Sequence, residues 1–208
     1  MSRLVFCLTI YVICNLSDTR VSCYENVTST SVEGASLYAH NFLRALHGVL
    51  PVKWNKTLAK GAESWARVLA NKSKLMLSNY SEYFSENVYA LRGTDEPQSA
   101  YIATHRWYSE IKNYPFDDHN ITKENYLSSA FSALIWDDVK QLGIGVSHHI
   151  GTRESYVVAR YSPKPNIGNF SAHVKPPLKF KKDKKIVIPP LEDLIKPTDP
   201  EAKKSLYL

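Results

Sequence analysis

The nine residues from Arg106 to Tyr114, RWYSEIKNY, set one carboxylate, Glu110, among three aromatics (Trp107, Tyr108, Tyr114) and two bases, Arg106 and Lys112. At helical spacing Trp107 lies one turn from Glu110 on the same face, and Ile111 and Tyr114 extend the neighbouring stripe. A helix that buries Trp, Ile and Tyr beside a glutamate must pair that glutamate or use it, because an unpaired buried carboxylate is costly. The pattern predicts a helix from about Pro97 to Tyr114, with Arg106 one turn before Glu110 as a candidate counter-ion.

Upstream, Leu37, His40 or Phe42, Leu43 and Leu46 recur at three and four from Val32, and Gly48 and Pro51 close that helix. Asn55 reads as the N-cap of a second amphipathic helix carrying Leu58, Ala62, Trp65, Ala66 and Leu69. Residues 71–85 are polar and rich in Ser and Tyr, a loop, and Glu86 to Ala90 has strand character. Downstream, Phe131 to Trp136, Leu142 to His149 and Ser155 to Tyr161 read as short strands separated by turn residues, an antiparallel meander. Helices first and strands last predict an α+β domain.

The ends differ from this middle. In residues 1–23 a short basic start, Ser2-Arg3, leads into an apolar run from Leu4 to Leu16, too short to span a bilayer and fitted to a cleaved secretory signal. Two of the three cysteines, Cys7 and Cys14, leave with it, so at most Cys23 is left and the expected domain is free of internal disulfides. Six sequons follow, at Asn26, Asn55, Asn71, Asn79, Asn120 and Asn169. Behind a signal, so many acceptor sites agree with passage through the secretory pathway. Residues 172–208 are rich in proline and carry a lysine cluster at Lys179, Lys181, Lys182, Lys184 and Lys185, an expected disordered tail. That tail holds much of the net charge of +6. A polybasic stretch outside the cell seeks sulfated glycans or anionic membrane surfaces. Nucleic acid is not an expected partner, because the chain leaves the cytoplasm and shows no nucleic-acid-binding signature.

The motifs in order are HNFLRALHGVLPVKW (His40 to Trp54), SENVYA (Ser85 to Ala90), WYSEIKNY (Trp107 to Tyr114), FSALIW (Phe131 to Trp136), LGIGV (Leu142 to Val146) and YVVARYSPKPNIGNF (Tyr156 to Phe170). Together they resemble the CAP superfamily (SCP domain) of cysteine-rich secretory, antigen-5 and pathogenesis-related type 1 proteins, especially its Golgi-associated plant pathogenesis-related branch. The resemblance covers residues 33–171. It implies a three-layer α-β-α sandwich with a small antiparallel sheet.

It also implies a cleft in which two glutamates and two histidines can hold a divalent metal. Carried over, Glu86 and Glu110 are the carboxylates, while the histidine positions fall on Leu77 and Ala130. Two carboxylates without imidazoles make a poor zinc site, so no metal and no cofactor are expected. Nor is there a Ser-His-Asp or Cys-His signature for nucleophilic catalysis. The expected function is a secreted, glycosylated binding protein, not an enzyme, for a sterol, fatty acid or other apolar ligand or a protein partner. The alternative is a carboxylate-dependent hydrolase that uses the facing pair Glu86 and Glu110.

Overall fold

A computed structural model describes residues 31–78, 82–92, 94–116, 118, 121 and 129–178. The signal of residues 1–23, the sequons at Asn26, Asn79 and Asn120, and the lysine cluster from Lys179 to Lys185 lie outside the described residues.

Each long helix begins where a short polar side chain takes up orphan amides. Ser31 Oγ accepts from Gly34 N at 3.1 Å ahead of α1 (Val32–Leu46). Asn55 Oδ1 accepts from Thr57 N and Leu58 N at 2.9 and 3.0 Å ahead of α2 (Lys56–Lys72). Asp95 Oδ1 accepts from Gln98 N at 2.8 Å ahead of α3 (Glu96–Tyr108). The remaining elements are β1 (Lys53–Trp54), β2 (Ser85–Arg92), α4 (Ser129–Ile135), β3 (Gln141–His148), β4 (Glu154–Ser162) and α5 (Phe170–His173).

The four strands among the described residues form one sheet in the order β1-β3-β4-β2. β2, β4 and β3 are antiparallel, whereas the two-residue β1 runs parallel to β3. Period-two alternation sorts the side chains of β4. Tyr156 and Val158 pack with Ala62, Ala66 and Leu69 of α2. Val157, Ala159 and Tyr161 enter the larger core with Leu43, Ile102, Trp107, Phe131 and Leu134 of α1, α3 and α4. Among the described residues the sheet is therefore the middle of three layers, with α2 on one side. The α2 layer sits very close: a Cβ at Gly143 would run into the backbone of Leu58 and Ala59, and one at Gly145 into the backbone of Ala62 and Glu63.

Four features depart from the pattern reading. Phe131 to Trp136 is not a strand; it lies in α4 and the turn after it, because a short helix buried on all sides has no polar face to show its period. α3 ends at Tyr108, and Ser109–Asn113 tighten into a 3-10 turn, so Glu110 is not on the α-helical face of Trp107. α2 continues through Asn71 to Lys72, into the segment that composition assigns to a loop. The packed chain also runs past residue 171: His173 O accepts from Asp137 N, Lys175 O from His47 Nδ1, and Leu178 N donates to Leu46 O.

The buried side of α1 is polar at one-turn intervals. His40, Arg44 and His47 are all buried. A carbonyl accepts at each Nδ1, so both histidines hold their proton there and Nε2 accepts from a tyrosine hydroxyl. His40 meets Ser36 O at 2.9 Å and Tyr161 Oη at 3.1 Å; His47 meets Lys175 O at 2.6 Å and Tyr108 Oη at 2.9 Å. Burial lowers the pKa of His40 to about 3 and that of His105, on α3, to about 4. Both stay neutral in the fold while the unfolded chain takes up protons below about 6.5. The unfolded state then binds more protons, so stability falls as pH drops below that value. At about 1.4 kcal/mol per pH unit for each group, the pair removes roughly 3 kcal/mol between about pH 7.5 and 5.5. A urea midpoint that does not move between these pH values would refute this.

Candidate functional site

The first expected cleft residue, Glu86, stands directly opposite Arg160 in the β2–β4 register. Arg160 Nε donates to Glu86 Oε1 at 2.8 Å, with side chains 14% and 4% exposed. Its guanidinium lies 4.4 Å over the Phe84 ring, a cation–π contact. Gly61 of α2 also lies against it, where any Cβ would run into Nη1. Ser78 N donates to the second oxygen, Glu86 Oε2, at 2.8 Å. Both oxygens of this carboxylate are thus engaged within the chain.

Removing one partner of a buried pair leaves an uncompensated charge, so Arg160→Met is expected to cost about 3 kcal/mol. Adding Glu86→Gln should recover much of that loss. A double-mutant cycle with a coupling near zero would show that solvent, not Arg160, holds the charge.

Glu110 has different surroundings. Its Oε2 accepts from Phe131 N at 3.2 Å, which ties the 3-10 turn to α4. Asn87, the residue after Glu86, faces the same side: its Nδ2 donates to Ala130 O at 3.0 Å and to Tyr161 Oη at 3.1 Å. Burial, with a smaller contribution from the Glu110 charge, pushes the Tyr161 phenol far up. Alternation along β2 thus gives Glu86 to the α2 side with Val88 and Ala90, and Asn87 to the side of Glu110. Glu86 is thus bonded to Arg160 and Ser78, and Glu110 to Phe131.

Leu77 directly precedes the amide bound to Glu86, and Ala130 directly precedes the amide bound to Glu110. Neither side chain has a donor atom, and Glu86 is neutralised by a guanidinium. These residues do not fit the metal that the fold family implies. What Leu77 contributes is apolar surface: it is 60% exposed, Tyr83 on the same approach to β2 is 79% exposed, and Leu75 is exposed as well.

Of the sequons, Asn71 and Asn169 are exposed and Asn55 is half-buried. Asn55 and Asn169 already use Oδ1 as helix caps, and Asn55 Nδ2 also donates to Gln141 Oε1 at 2.8 Å. Pattern reading passes over Arg160, although the sequence carries a signal for it: a lone cation inside YVVARY, a strand otherwise apolar.

Known proteins resemble this chain in sequence and fold. A family model described as CAP, the cysteine-rich secretory protein family, matches residues 37–161. Golgi-associated plant pathogenesis-related protein 1 of Homo sapiens is 36% identical over 148 residues, 69% of this chain and 92% of that protein. Venom allergen 5 of Microctonus hyperodae is 22% identical over 125 residues, 56% of this chain and 53% of that protein. Among solved structures, a crystal structure of NaASP2 with Zn2+ superposes with a TM-score of 0.59 at 20% identity, over 74% of this chain and 91% of that one. At that identity the likeness is one of fold alone.

Proposed function

We propose, from the premise that this chain belongs to the CAP (cysteine-rich secretory protein) family, that it is an exported, glycosylated binding protein whose cleft takes an apolar ligand such as a sterol or fatty acid. The observation that carries this reading is the rim: Leu77, 60% exposed, and Tyr83, 79% exposed, lead to a Glu86 already neutralised by Arg160. Exposed apolar groups beside a quenched carboxylate favour hydrocarbon over a cation or a polar substrate. A hydrolase needs two carboxylates acting on one bond, and the separate partners of Glu86 and Glu110 weigh against that.

Export is supported by the apolar run ahead of the domain and by a relative named as a venom allergen. The same reading gives the lysines from Lys179 to Lys185 an anionic surface, a sulfated glycan or acidic lipid. Because Val174 is buried and Leu178 is bonded to α1, a tail deletion that spares the domain starts at residue 179.

The test expresses the full chain in a eukaryotic cell. The product is expected in the medium, shortened on gels by an N-glycosidase, and should bind cholesterol or palmitate saturably with a loss on Leu77→Asp. The 1–178 form should keep that binding but elute from heparin at much lower salt, since exposed charges are screened within about 8 Å at physiological ionic strength. An unglycosylated product retained in the cytosol, no binding to either lipid, or equal heparin retention would each overturn the corresponding part.

A further inference from the structure

Away from the cleft, the turn after α4 and the end of α5 bring three ligating side chains together. Asp137, Asp138 and His173 offer atoms that all lie within 4.8 Å of one another. Among the described residues no other group of three or more His, Cys, Asp or Glu side chains meets this condition. We propose that Asp137, Asp138 and His173 form a binding site for a divalent transition ion of the zinc class.

The imidazole is the organising group. His173 Nδ1 lies 2.7 Å from Asp137 Oδ1 and 3.3 Å from Asp138 Oδ2. One N–H can serve one of these oxygens well, not both, so two carboxylates compete for a single proton. A divalent cation removes that mismatch, since it attracts both anions and takes the imidazole lone pair at once. Binding requires the neutral ring with its proton on Nε2, which leaves Nδ1 free to ligate.

The ring is held in place for this role. It stacks on Trp136 with centroids 4.5 Å apart and planes 19° apart, and Trp136 itself is buried edge-on against Phe170 at 5.2 Å. Asp137 N donates to His173 O at 3.3 Å, which fixes the two segments relative to each other. The Lys140 ammonium donates to the Asp137 carbonyl at 3.0 Å. Solvent reaches the cluster through Asp138, 61% exposed, where a water could complete a four-coordinate shell.

Calorimetric titration of the full chain with zinc chloride at pH 7.5 tests the assignment. One-to-one saturable binding is expected, with a loss of more than about 100-fold on His173→Gln, since even a ligand's outer partners are worth about 10–100-fold. Asp138→Asn should weaken binding at least about tenfold while leaving the circular dichroism spectrum unchanged. Binding that survives His173→Gln, binding that is lost instead on Glu110→Gln, or no saturable heat would each overturn the proposal.

Discussion

Arg44→Met is expected to leave no stably folded domain at room temperature. The Arg44 side chain is fully buried, and its guanidinium donates to four carbonyls: Leu50 O at 2.8 Å, Leu134 O and Trp136 O at 2.9 Å each, and Val139 O at 3.0 Å. These acceptors come from the loop after α1 and from both sides of the α4 turn, so one side chain satisfies backbone that no regular element covers. Methionine nearly matches the apolar stem but donates nothing. Each abandoned acceptor costs about 1–3 kcal/mol, so the total exceeds about 5 kcal/mol and matches the whole stability of many domains. Arg44→Lys keeps the charge but not the planar fork, and should fall between the two. Chemical denaturation of the soluble variants checks this. A loss below about 2 kcal/mol would mean that water reaches those carbonyls.

The second large effect is at Gly145. Alanine there adds one methyl to β3, directed into the Ala62–Glu63 backbone of α2 rather than at the tip of a movable side chain. α2 cannot retreat locally, because Tyr156 and Val158 of β4 hold it along the same face. The helix must shift as a body and open the contact at Gly143 as well. Overpacking usually costs about 1–3 kcal/mol where side chains can give way; against rigid backbone the cost should exceed about 4 kcal/mol. Gly168, where an added Cβ would meet no heavy atom within 4 Å but φ is +71°, is the control: its alanine variant carries backbone strain alone. Equal melting temperatures for the two alanine variants would show that helix packing is not the cause.

Much of this architecture is legible in the sequence because it rests on local chemistry. Asn55 announces α2 by the capping chemistry it performs, and the β-branched and aromatic run in YVVARY locates β4. The family motifs single out Glu86 and Glu110, whose carboxylates accept from the amides that follow Leu77 and Ala130. What escapes depends on pairings between distant parts of the chain. β1 is two residues long and exists only because β3 runs beside it. The Glu86–Arg160 pair joins residues 74 positions apart, and no local spacing connects them. Glu110 sits in a 3-10 turn and Glu86 on a pleated strand, so helical spacing does not describe their mutual orientation.

The segment after α5 has a mechanical consequence. Beyond α5 the described chain is held by the bond from Leu178 N to Leu46 O, with the Leu178 side chain against Gly48, and then by Lys175 O on His47. A pull applied from residue 179 onward therefore reaches the end of α1 before it reaches any strand. It meets these attachments one at a time, as a zipper does, and next the bond between His173 and Asp137. Tension would peel this strap, uncovering His47 and loosening the imidazole from its two aspartates, while β3 and β4 remained paired.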